Sequence, residues 1–163
     1  MTLDDFNALP EGAARERLAE CLDVERWADA VLVGRPYADL GALMNVASTS
    51  AGSLSDDELE AALARHPRIG ERAGATHDAA HSAREQSGVD HGSADVTTRL
   101  AEGNRVYEQR FDRVFLIRAA GRDAEEILAE LTRRLDHDDA TEREETVTQL
   151  REIALLRLEG MVS

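Results

Sequence analysis

The sequence has no lysine: all 19 of its basic residues are arginine. Schiff-base catalysis, attachment of pyridoxal phosphate and the phosphate-binding lysine of P-loop enzymes each require an ε-amine, so those classes are excluded. Cysteine is nearly as scarce. Cys21 stands alone in an amphipathic stretch, which rules out a disulfide framework and a thiolate metal cluster and points to a reducing compartment. No apolar run reaches the roughly 18 residues of a membrane span. There is also no N-terminal apolar signal region and no C-terminal peroxisomal tripeptide, so a soluble cytoplasmic protein is expected. Strand-type alternation is almost absent, and the chain reads as all-α.

What the sequence has in excess is negative charge. Thirty-three Asp and Glu against 19 Arg give a net charge of −14, spread along the chain. Such a surface repels nucleic acid and anionic membranes, which leaves a small molecule as the expected ligand. A length of 163 residues suits one domain, 1–163, with about 70% of its unfolded surface buried.

Helical periodicity marks most of the chain. Pro10 suits a first helical position, followed by Ala14, Leu18, Cys21 and Leu22 at helical spacing. A second helix is expected from about Val24 to Val33, broken by Gly34-Arg35-Pro36, and a third from Tyr37 to about Thr49. Beyond Ser93, the residues Val96, Leu100, Tyr107 and Phe111 mark a long helix with Asn104 near its apolar stripe. The apolar run Val114-Phe115-Leu116-Ile117 reads as an extended buried connector. Asp123 with Glu126, and Thr141 with Glu144, are capping-box starts for the last two helices. In total about seven to nine helices are expected in a single compact domain.

The stretch 55–88 organises the rest. Ser55 and Glu58 form a capping box, and Leu59, Ala62, Leu63 and His66 then share one helical face. Pro67 lacks an N–H and disfavours α geometry in the residue before it, so this helix must stop at His66. The imidazole therefore lies at a helix end beside the Gly-containing loop 69–74. A terminal histidine by itself equally serves as a cap that favours the helix macrodipole. Further on, Ser82, Glu85 and Gln86 fall on a short helix that Thr76 can cap. A loop of about nine residues can return this carboxylate to the imidazole, and His with Glu is a minimal acid/base pair.

Two other features carry alternatives. Arg157 projects inside the apolar arc of the last helix, between Leu150 and Ile153. It is either a snorkelling side chain at the edge of that arc or a buried cation that needs an anionic partner. His77 and His81 have the i, i+4 spacing of zinc ligands, with Asp90 and His91 close in sequence, but Asp78 occupies the position where a metalloprotease needs Glu. Solvated histidines are the simpler account, and no metal site is expected.

Taken together, HPRIG at 66–70, SAREQSGV at 82–89, RLAEGNRVYEQRF at 99–111, VFLIRAAGR at 114–122 and EIALLRLEGMV at 152–162 resemble the OHCU decarboxylase family. Its members convert 2-oxo-4-hydroxy-4-carboxy-5-ureidoimidazoline to (S)-allantoin. The resemblance covers nearly the whole chain in order and spacing. It implies a helical, cofactor-free enzyme, often a homodimer, acting on a small ureidoimidazoline. It also implies that His66 and Glu85 are the catalytic pair, while Pro67, Ser82, Gln86 and Arg157 line or hold the ligand. The backbone of the 115–119 connector, including Leu116, Ile117, Arg118 and Ala119, matches the segment that closes the pocket. One departure stands out: many relatives have Phe-Gly-Phe-Pro-Phe where this chain has Phe111-Asp112-Arg113-Val114-Phe115. Two alternatives from other classes are a non-catalytic helical module that binds a small anion and a metal-dependent hydrolase built on His77 and His81.

Overall fold

A computed structural model describes residues 1–69, 81, 85 and 94–163. Among them are eight helices and no strand. In chain order these are α1 (Leu3–Ala8), α2 (Glu11–Cys21), α3 (Glu25–Val33), α4 (Leu40–Ala51), α5 (Asp56–Leu63), α6 (Ala94–Phe111), α7 (Ala124–Arg134) and α8 (Asp139–Met161). The all-α expectation holds. Contacts group the chain into two compact units, one of Met1–Ala62 with Arg151–Ser163 and one of Leu63–Leu150.

In the first unit, local chemistry sets the helix ends. α1 starts on a reciprocal cap in which Thr2 Oγ1 accepts the Asp5 N–H at 3.1 Å and Asp5 Oδ2 accepts the Thr2 N–H at 2.9 Å. This helix was not expected, although Thr2 followed by Asp5 is its signal. Pro10 precedes α2 instead of opening it. α4 begins at Leu40, three residues later than periodicity suggests, because Asp39 Oδ1 caps the Ala42 N–H at 2.8 Å. Tyr37 is thereby left outside the helix. Its hydroxyl donates to the Val31 carbonyl at 2.6 Å, and a methyl on Gly34 would collide with its ring. Phe6, Leu18, Trp27, Val31, Leu43 and Ala47 are fully buried, and the Trp27 indole N–H is satisfied by the Ala47 carbonyl at 2.9 Å. The Ser55/Glu58 capping box forms as expected, at 2.8 and 3.1 Å, and starts α5.

The core of the second unit combines Ile69, Val96, Leu100, Tyr107, Phe111, Phe115, Ile117, Ile127, Leu128 and Leu131. α6 and α7 pack closely because Gly103 has no side chain, and a Cβ there would strike Leu131. At the C-terminal end of α6, Asp112 adopts φ 53° while its N–H closes the last turn on the Glu108 carbonyl at 2.9 Å. This is the left-handed cap that usually carries glycine. The connector then runs extended, with Phe115, Leu116, Ile117 and Ala119 buried. The reciprocal Asp123/Glu126 cap opens α7 as expected. α8 starts two residues before Thr141, because Asp138 Oδ1 accepts the Thr141 N–H at 2.7 Å and the Asp138 carbonyl accepts the Glu142 N–H at 3.0 Å. Glu142 then lies within the first turn of the helix and is fully buried.

Candidate active site

α5 ends at Leu63 and is followed by a tight turn in which the His66 N–H donates to the Leu63 carbonyl at 3.0 Å. His66 and Pro67 are both partly buried. The helix ends slightly before His66, consistent with the constraint Pro67 places on the residue preceding it. The next two residues are fastened to α6. Asn104 Nδ2 donates to the Ile69 carbonyl at 3.2 Å, and the Arg68 guanidinium forks onto Glu108, with Nε on Oε1 and Nη2 on Oε2 at 3.1 Å. Ile69 itself is buried in the core. The turn bearing His66 is thus tied at its carboxyl side by side-chain packing and by hydrogen bonds.

Glu85 and His81 are helical and partly buried. Ser82 and Gln86 lie outside the described residues, as do Thr76, His77, Asp78, Asp90 and His91. Among the described residues no three His, Cys, Asp or Glu side chains converge as metal ligands. His66, Pro67, Glu85 and the 115–119 connector all belong to the Leu63–Leu150 unit, and Arg157 belongs to the other.

Two side chains hold the connector by its backbone. Arg134 Nη1 donates to the Leu116 carbonyl at 2.7 Å, and Gln149 Oε1 accepts the Arg118 N–H at 2.9 Å. Arg134 also lies 4.6 Å over the Phe115 ring, and Tyr107 meets that ring edge-on at 5.2 Å. Leu116, Ile117 and Ala119 are buried and Arg118 is half-buried. Arg157 is 6% exposed, and its Nη1 faces the Glu20 carbonyl at 3.5 Å, so it is the buried cation and not the snorkelling one.

Sequence reasoning missed Arg134, Glu142 and Gln149. The signal was present on α8, where Glu142, Thr146, Gln149, Ile153 and Arg157 recur every three or four residues on a face the helix buries. Polar residues at core positions demand partners, and the Leu116 carbonyl and the Arg118 N–H are two of the groups they serve.

These features define a helical protein in which a proline-terminated turn presents a histidine and a pinned, extended segment follows a long helix. The chain belongs to the OHCU decarboxylase family, whose sequence pattern matches residues 7–159. It is 25% identical over 159 residues to the 2-oxo-4-hydroxy-4-carboxy-5-ureidoimidazoline decarboxylase of Haloferax volcanii, covering 97% of this chain and 94% of that protein. The enzyme of the same name from Amia calva is 30% identical over 138 residues, covering 83% and 79%. The fold is shared with an OHCU decarboxylase crystallised in the presence of (S)-allantoin, with a TM-score of 0.70 and 22% identity over 86% of this chain and 93% of that one.

Proposed function

We propose that this chain decarboxylates 2-oxo-4-hydroxy-4-carboxy-5-ureidoimidazoline to (S)-allantoin in urate degradation. In this reading it is a cytoplasmic, single-domain enzyme that needs no cofactor and pairs with a second copy of itself. The observation that carries the activity is the family match over 7–159 together with a relative named for that activity and aligned along nearly the whole chain. The lone cysteine, buried in α2, agrees with a reducing compartment.

The chemistry requires little beyond what these side chains supply. Breaking the bond to the carboxylate carbon releases CO2 and leaves an electron pair. The adjoining ring C=N accepts that pair and its nitrogen takes up a proton that comes ultimately from solvent, giving an enol-like intermediate. Proton transfers then complete the reaction, and general acid/base groups contribute about 10²- to 10⁴-fold to such steps. His66 and Glu85 are assigned this role: one removes the 4-hydroxyl proton and one returns a proton to the ring, and delivery to a single face sets the S configuration. Arg157, Gln86 and Ser82 are assigned the grip on carboxylate, ureido and ring oxygens, where their contribution is orientation. Pro67 holds the turn of His66, and the backbone of Leu116, Ile117, Arg118 and Ala119 closes over the ligand.

The test is allantoin formation from freshly generated urate-oxidation intermediates, with and without chelator. Equal rates in both conditions are expected. Loss with EDTA and recovery with zinc would favour a metal site at His77 and His81. Ligand binding with no allantoin above the spontaneous rate would favour a small-anion-binding module.

A further inference from the structure

Asn104 is the one polar residue buried along the α6 stripe Val96, Leu100, Asn104, Tyr107, Phe111, and it is only 6% exposed. An aliphatic side chain would suit these neighbours better. The amide makes one hydrogen bond, Nδ2 to the Ile69 carbonyl, and its Oδ1 has no hydrogen-bond partner among the described residues. Half-satisfied buried amides are costly, so the position calls for an explanation other than folding. The explanation lies in what the bond holds. Ile69 is three residues from His66, and Pro67, whose ring fixes φ, stands between them. One turn along α6, Glu108 takes the fork of Arg68. That pair is substantially exposed, with side chains 44% and 27% accessible, so its value is geometric more than energetic. One helix face thus fixes the backbone at 69 and the side chain at 68, with Leu63 accepting the His66 N–H on the other side.

We propose that Asn104, assisted by Glu108, is a positioning residue that sets the placement of the His66 imidazole through the Ile69 carbonyl. The proposal rests on the reading of His66 as a catalytic residue. Neither Asn104 nor Glu108 needs to touch substrate. Displacing a catalytic group by about 1 Å can cost on the order of 10²-fold in rate, so a clamp of this kind acts on kcat.

The test places Asn104→Leu and Glu108→Ala separately in the wild-type and His66→Asn backgrounds and measures kcat, KM and Tm. Leu keeps the branched skeleton of Asn and suits the apolar cluster, and Glu108 lies outside the core with its side chain 27% accessible, so at least one of the two variants will fold. Asn104→Leu should lower kcat by roughly tenfold or more with KM nearly unchanged, and Glu108→Ala should act in the same direction more weakly. In the His66→Asn background both should add little, since groups acting as one unit are not additive. Equal losses in both backgrounds, a rise in KM with kcat intact, or unimpaired kcat in the folded variants beside an inactive His66→Asn would overturn the clamp alone. Full activity of His66→Asn by itself would overturn the catalytic reading of His66 and the clamp with it.

Discussion

Arg134 and Glu142 form a fully buried ion pair in which Nε and Nη2 of the arginine both donate to Oε1 of the glutamate, at 2.8 and 2.5 Å. The same oxygen accepts the Tyr107 hydroxyl at 2.5 Å, and Oε2 faces His137 Nδ1 at 3.0 Å. The remaining Arg134 amine holds the Leu116 carbonyl. A charge pair inside the core therefore also fixes the connector assigned to the pocket wall.

Removing one partner strands the other without water. Glu142→Leu or Arg134→Met alone should cost about 3–5 kcal/mol in urea unfolding. The double variant should lose clearly less than the sum. Additive losses would show that the two side chains are not coupled.

Tyr107 gives the pair a pH signature. Burial, followed by the hydrogen bond to the Glu142 carboxylate, pushes its phenol up to about 12 from 10.0, and burial raises Tyr37 as well. The fold favours the neutral phenol, so this stabilisation is complete below the ordinary value near 10 and is lost as pH rises towards 12. Phenolate absorbance should lag behind that of free tyrosine up to pH 10 and appear together with unfolding. A normal titration near 10 in the folded protein would contradict the geometry.

Asp112 holds φ 53° at the end of α6, where the resemblance places glycine. Left-handed geometry costs a non-glycine residue about 1–2 kcal/mol, less for Asp. Asp112→Gly should therefore stabilise by about 1 kcal/mol, a rise of roughly 2–4 °C in Tm for a chain of this size. A lowered Tm would mean that the Asp side chain itself holds the turn.

Helix content was legible because its signals are local. The capping boxes at Ser55/Glu58 and Asp123/Glu126 depend on residues three apart, and the stop imposed by Pro67 on its immediate neighbour. The start of α8 was misplaced because Thr141 with Glu144 offers the same pattern that Asp138 actually uses. What was not legible is long-range satisfaction: that Arg134 serves a carbonyl 18 residues away and Gln149 an amide 31 away follows from packing alone. Asn104 was visible as a polar intrusion on an apolar stripe, but its partner Ile69 lies 35 residues off. For Arg157, periodicity placed the side chain on the buried arc, and the fold chose between its two readings.

Arg157→Lys keeps the charge but loses the planar fork. The expected result is weaker binding of substrate and allantoin with Tm little changed, since an ammonium cannot reproduce a bidentate grip. Unchanged binding and turnover would remove Arg157 from the site.

The most direct measurement is the rate and stereochemistry of allantoin formation by His66→Asn, Glu85→Gln and the double variant, with Tm recorded for each. Each single change should lower the rate by about 10² or more, the scale of a lost acid/base group. Tm should barely move, because both residues are only partly buried and a charge at an exposed helix end is worth about 1 kcal/mol at most. The double variant should be little worse than either single one if the two groups form one proton relay. Near-wild-type, stereospecific allantoin formation by both single variants would contradict the assignment of His66 and Glu85.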